Sequence, residues 1–167
     1  MGIIKKFTGM KKYILFFSLL VMGLGQVIAQ ELNAVPVSTV RQLPDGWHKY
    51  TEQGASFDVE VRSGNLVRGN IVWFDNTSFS GTFSGNRISG KGTYKWSDGK
   101  RYEGSFKNNE RHGKGSMIAS DGSKWSGKWK LNQKNGKGKA FDNAGNLVQE
   151  GVWEQNQFVG VKTKKKK

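Results

Sequence analysis

From residue 79 onward, aromatic or glycine positions alternate with polar ones at a period of two. Arg101 to Lys107 reads Arg-Tyr-Glu-Gly-Ser-Phe-Lys, the pattern of a strand with two unlike faces. Gly113 to Ala119 predicts a second strand, with Gly115, Met117 and Ala119 on one side. Asp98-Gly99 and Asp121-Gly122 predict tight hairpins into the next unit, because Asp-Gly suits the left-handed turn that a twisted hairpin needs. Asn108 to His112 reads as a short polar loop. None of these connections has room for a crossover helix, so successive strands must be antiparallel neighbours. The prediction is an all-β chain, an elongated antiparallel meander of stacked hairpins forming a single twisted sheet.

The glycines set the register. Gly81, Gly90, Gly92 and Gly99 recur as Gly104, Gly113, Gly115 and Gly122, and again as Gly127, Gly136, Gly138 and Gly145. Gly151 and Gly160 continue the series in part, and the repeat lengths from the leading glycines are 23, 23 and 24. Phe79, Tyr102 and Trp125 stand two residues before a leading glycine, and Phe83, Phe106, Trp129 and Trp153 two after one. Upstream, Gly46 and Gly69 keep the spacing, and Trp73, Asp75 and Phe79 lie one period before Trp96, Asp98 and Tyr102. A repeat of this length means that each unit buries its face against its neighbours. The array is expected over 45–160. Its regular units are 79–101, 102–124 and 125–148, after degenerate units in 45–78 and before a partial cap at 149–160.

Tyr102 to Gly115, reading YEGSFKNNERHGKG, followed by Ser120-Asp121-Gly122, resembles a MORN repeat, and the units opening at Phe79 and Trp125 are similar. The resemblance covers 79–160 well and 45–78 weakly. It implies the stacked-hairpin sheet and a role in protein assembly or at membrane surfaces, where the family has been linked to phospholipids. MORN arrays also occur attached to lipid kinases and lysine methyltransferases, and no part of those catalytic domains is expected here. Gln149 departs from the pattern, standing where an aromatic precedes Gly151, and one residue is inserted at Asn146-Leu147-Val148.

Outside the array, Lys5, Lys6, Lys11 and Lys12 precede an apolar run from Tyr13 to Ala29 that ends in Val27-Ile28-Ala29. A charged start, an apolar stretch and a small-residue site make a secretory signal, so 1–29 is expected to be removed, leaving a periplasmic or extracellular protein. The competing reading is an uncleaved anchor. Met10 is as good a start as Met1. Residues 30–44 hold Pro36 and Pro44 without any period and read as a linker, and 161–167 is a basic tail.

Charge then narrows the function. The chain has 27 Lys and Arg against 13 Asp and Glu, a net charge of +14, and no cysteine. Disulfides, thiolate metal sites and a cysteine nucleophile are thereby excluded. The two histidines, His48 and His112, do not form a metal-ligand pattern, and Glu103 and Glu150 face no cleft; no enzyme activity, metal or cofactor is expected. By strand parity Phe79, Phe83, Tyr94, Trp96, Tyr102, Phe106, Met117, Trp125 and Trp129 share one face, stacked on the repeat glycines as a core. A single-layer sheet is expected to leave some of them exposed in a groove, where they could hold an apolar peptide or a sugar ring. The opposite face carries Lys91, Lys114 and Lys137 as a column spaced about 10 Å apart, joined by Lys95, Lys107, Lys128, Lys130 and Lys139. Together with Lys162 and Lys164, Lys165, Lys166 and Lys167 of the tail, these are the candidate binding residues for a polyanion. The expected function is a non-catalytic scaffold of the cell envelope or exterior, with a protein or a membrane surface as partner. The alternatives are a binder of anionic lipid or polymer and, through exposed aromatics, of carbohydrate. Nucleic acid is a weak physiological candidate for an exported chain, and the open sheet edges allow an edge-to-edge homodimer.

Overall fold

A computed structural model describes residues 35–161. They form eleven strands: β1 (Gly46–Glu52), β2 (Ala55–Arg62), β3 (Asn65–Trp73), β4 (Ser78–Ser84), β5 (Arg87–Lys95), β6 (Arg101–Lys107), β7 (Glu110–Ile118), β8 (Lys124–Lys130), β9 (Gln133–Phe141), β10 (Leu147–Glu154) and β11 (Gln157–Gly160). The strands lie in sequence order in one sheet, each antiparallel to the next. The elongated all-β meander of stacked hairpins expected from the sequence is the observed architecture. Among the described residues no helix is long and apolar enough to cross a membrane.

The repeat glycines meet in one row. Gly69, Gly81, Gly92, Gly104, Gly115, Gly127, Gly138 and Gly151 are successive register partners from β3 to β10. Phe79 of β4, Tyr102 of β6 and Trp125 of β8 lie across this row, and Phe158 of β11 lies against Gly151. A Cβ added to Gly81 would come 2.6 Å from Phe79 Cζ, and one added to Gly127 would come 2.6 Å from Trp125 Cη2. The glycines are therefore the floor on which the rings lie.

In a straight strand, residues four apart are separated by about 13 Å. Here the rings of Phe79 and Phe83 meet at 5.2 Å, and those of Tyr102 and Phe106 and of Trp125 and Trp129 at 5.0 Å. Each pair leans together where the register slips, between Gly81 and Phe83, Gly104 and Phe106, and Gly127 and Trp129. Opposite these slips sit Gly90, Gly113 and Gly136, with φ of 88°, 71° and 99° that only glycine adopts without strain.

Edge-on contacts between units continue the stack from Phe79 to Phe106, Tyr102 to Trp129, Trp125 to Trp153 and Trp153 to Phe158. The result is a herringbone of rings along the sheet. Phe79, Phe83, Tyr94, Trp96, Tyr102, Phe106, Trp125 and Trp129 are all 7% exposed or less. This overturns the expectation that some stay open in a groove. The lean at each register slip lets these rings cover one another, so one layer closes its own core, and only the terminal Phe158 of the stack stays 38% exposed. Only Met117 of that set is half-buried.

The turns also differ from expectation. Asn108 and Asn109 both have positive φ, as do Leu131 and Asn132, and Gln155 and Asn156, so these pairs are the tight two-residue hairpins. β7 therefore starts at Glu110, and His112 lies in a strand instead of a loop. Asp98-Gly99 and Asp121-Gly122 lie in wider turns, closed by Trp96 N–H to Lys100 O and Ala119 N–H to Ser123 O. Asp98 and Asp121 accept from the N–H two residues on. That role needs one positive-φ glycine and not two such residues. The inserted residue near the C-terminal end appears as a bulge between Leu147 and Gln149. Part of the segment read as a linker is packed instead. Val40, in a short 3-10 turn, is fully buried in the core with Val35 and Leu43 against it, because β1 to β3 would otherwise leave an apolar end open. Residues 1–34 and the tail lysines Lys162 and Lys164 to Lys167 lie outside the described residues.

Candidate functional site

On the face opposite the rings, β5 to β10 form a groove of about 1140 Å³. The alternation that turns Tyr102 and Phe106 inward turns Glu103 and Ser105 outward. Register then assembles rows across the strands. Lys91 faces Ser105, Lys114 faces Lys128, and Lys137 faces Val152. A parallel row is Thr93, Glu103, Ser116, Ser126, Lys139 and Glu150. A third contains Lys95, Arg101, Ile118, Lys124 and Phe141.

Lys91, Lys114, Lys124, Lys128, Lys137 and Lys139 line the groove with a single carboxylate, Glu150. Glu150 pairs with Lys139 at 3.1 Å, and Lys124 Nζ sits 4.8 Å from the centre of the Phe141 ring. Lys91, Lys114, Lys128 and Lys137 form no ion pair with any described carboxylate. Among the sequence candidates, the structure thus groups Lys91, Lys114, Lys128, Lys137 and Lys139. Lys95, Lys107 and Lys130 are exposed but lie outside the groove, the last two beside hairpin turns. Lys124 was missed, although the same parity gives it.

The other end of this face is neutralised. Glu60 accepts from Arg62 at 2.6 Å and Arg68 at 2.7 Å, which holds its carboxyl below the usual range. Lys49 pairs with Asp58 at 3.3 Å. The uncompensated positive charge is therefore concentrated over β5 to β9. Ser116 donates to Ser126 at 2.9 Å in the middle of the groove.

Two features of the ring face were not foreseen. Asn86, Asn109, Asn132 and Asn156 recur at 23, 23 and 24 residues, and their side-chain oxygens accept from the N–H of Leu66, Ile88, Arg111 and Lys134 at 2.7 to 2.8 Å. Asn109, Asn132 and Asn156 return a backbone N–H to the carbonyl of the residue that they cap. Each tight turn is thus pinned to the hairpin before it. The residues capped include Arg111, which is 4% exposed between the rings of Trp96 and Trp129 (5.6 and 4.9 Å). Its Nη2 donates to Asn132 O at 2.9 Å, and burial lowers its pKa to about 10. Lys134, over the Trp125 ring, is lowered by burial and then by Arg111. A charge in the sequence normally marks the surface, so only the column position shared with Leu66 and Ile88 could have revealed Arg111 as a buried cation and Lys134 as a half-buried one.

Glu103 is held by Arg101 at 2.7 Å, and among the described residues no three His, Asp or Glu gather to hold a metal ion. The arrangement offers cations and hydroxyls for binding. The family model described as MORN repeat matches residues 79–101, 102–124 and 125–143, the stretch that supplies most of the groove. No curated protein matches the chain.

Proposed function

We propose that this MORN-like array is a non-catalytic binding scaffold of the cell envelope or exterior that engages an anionic partner through the β5–β10 groove. The observation that carries the reading is the row of Lys91, Lys114, Lys128 and Lys137, aligned across the sheet and left without described carboxylate partners. Charge alone would be weak support, since a net charge of +14 attracts polyanions generally. The concentration of unpaired lysines in one groove, with the cations over β1–β3 already paired, is a more specific feature. Export rests on the secretory pattern of 1–29 and fits the absence of cysteine. The herringbone buries the rings of the three regular units and leaves Trp47, Phe74 and Phe158 as separate exposed aromatics, which disfavours a stacked sugar groove along the repeats.

The test is retention on an immobilised polyanion across a salt series, for the chain and for Lys114→Gln/Lys137→Gln. A steep loss of retention with salt, weakened in the double variant, is expected because screening acts over about 8 Å at physiological salt. Retention that ignores salt would instead indicate a shape-matched neutral interface and overturn the proposal. A chain ending at Gly160, run alongside, separates the contribution of the tail.

A further inference from the structure

The shape of the groove restricts what can occupy it. We propose that its occupant is one extended acidic segment of another polypeptide, lying across the strands with an apolar residue over β10; this rests on the anionic reading above. The row of Lys91, Lys114, Lys128 and Lys137 and the row of Lys124 and Phe141 lie four residues apart along the strands, a width of about 13 Å. Between them Ser116 and Ser126 form a floor of hydroxyls on β7 and β8, and the two carboxylates of the same row, Glu103 and Glu150, are already held by Arg101 and Lys139. A single chain fits that width, whereas a bilayer presents a plane and could touch the rims alone.

Length follows from the strand spacing. From β5 to β10 is five inter-strand steps, about 24 Å, which an extended peptide of about seven residues spans. Lys91 and Lys114 are two strands apart, about 10 Å, close to the separation of residues three apart in such a peptide. Flexible lysine stems can take up the remaining mismatch.

Composition favours polypeptide over a phosphate polymer. At the β10 end the groove changes from lysine to Phe141, Val152 and Val161, and Val161 is 73% exposed. An apolar terminus serves a ligand that carries a hydrophobic side chain, which polyphosphate lacks. The protein's own Glu150 already lies in the groove on Lys139, so the site accommodates a carboxylate.

The test is fluorescence anisotropy of the purified chain with a labelled peptide of about six glutamates followed by Leu-Val, a length that fills the groove. Comparison probes are the same peptide with Gln for Glu, the peptide ending Ser-Ser, inorganic polyphosphate, and phosphatidylserine vesicles against phosphatidylcholine vesicles. The acidic Leu-Val peptide should bind best. Lys114→Gln and Lys128→Gln should each weaken it about twofold to fivefold, as loss of an exposed ion pair does. Lys130→Gln should not, and Val152→Thr should reduce the preference for Leu-Val over Ser-Ser. Anionic vesicles binding while the Glu peptide binds no better than the Gln peptide would overturn the polypeptide assignment and leave the anionic reading standing. Polyphosphate displacing the peptide with no Leu-Val preference would overturn it equally. Failure of every anion to bind would remove both.

Discussion

The glycine row predicts a sharp difference between two Gly→Ala changes that look alike in the sequence. At Gly115 a Cβ would overlap the Tyr102 hydroxyl and ring, with Cε2 at 2.7 Å. Gly115 is not among the positive-φ glycines, so the penalty is steric and not conformational. Tyr102 has little freedom to retreat: it is fully buried, with the Phe106 and Trp129 rings at 5.0 and 5.2 Å and its hydroxyl donating to Ser105 O at 3.0 Å. The ring would have to move by about an ångström against two others, or the strands would have to part. Overpacking of this kind costs about 1–3 kcal/mol, and the confinement places Gly115→Ala at the upper end, near 3. Gly145→Ala has open space around the new methyl and only its φ of 86° to tolerate, a cost of about 1–2 kcal/mol. The assay is urea unfolding followed by tryptophan fluorescence, with Tyr102→Leu as the second arm of a double-mutant cycle. Tyr102→Leu should be costly alone, yet Gly115→Ala should cost at least about 1 kcal/mol less in its presence. Equal costs for the two alanines, or additivity in the cycle, would refute the picture of rings lying on a glycine floor.

Two more expectations follow from the ring face. Asn132→Gly keeps the left-handed turn but removes the acceptor of the Arg111 N–H (2.8 Å), so stability in the same assay should fall by about 1–3 kcal/mol, whereas Asn143→Gly in an outer turn should cost little. Burial raises the Tyr50 phenol to about 12 and Tyr102 further still, while an unfolded chain releases these protons near 10. The unfolded state therefore binds fewer protons above pH 10, and stability should decline from pH 10 to about 12. Burial of Arg111 acts in the opposite sense, since its lowered value favours the folded state as pH rises past about 10. Phenolate absorbance that follows unfolding, with a smaller alkaline loss in Tyr50→Phe, is the expected result; free ionisation of the folded chain would count against it.

What was legible in the sequence is what repeats with a unique residue type. Glycine and aromatic columns fixed strand order, antiparallel pairing and the two faces, because each has a single steric reason at its position. The asparagine column repeats just as faithfully, but asparagine is common in any turn, and its bond to the previous hairpin joins residues about twenty positions apart in the chain. Asp-Gly was misassigned as the tight turn because the dipeptide signals a glycine with positive φ and does not show that its neighbour shares it. The closure of the core was hidden for a different reason. Period-two alternation sorts side chains by face, whereas the lean of Phe79 towards Phe83 depends on the register slips, which are a property of strand pairs. The lysine row was readable from parity, but its limit at Lys95 and the pairing of Arg62 and Arg68 with Glu60 needed the register.

Lys114 directly opposite Lys128 has a further consequence. Like charges facing each other across adjacent strands work against the pairing that the glycines and rings enforce. The empty array therefore carries an electrical tension concentrated in its middle units, opposed by the packing on its other side. A ligand that neutralises the row would relax that tension, so binding and folding reinforce each other at the same few residues. The stability of the segment between β6 and β9 should therefore rise most when the row is neutralised, and should depend most on salt when it is not.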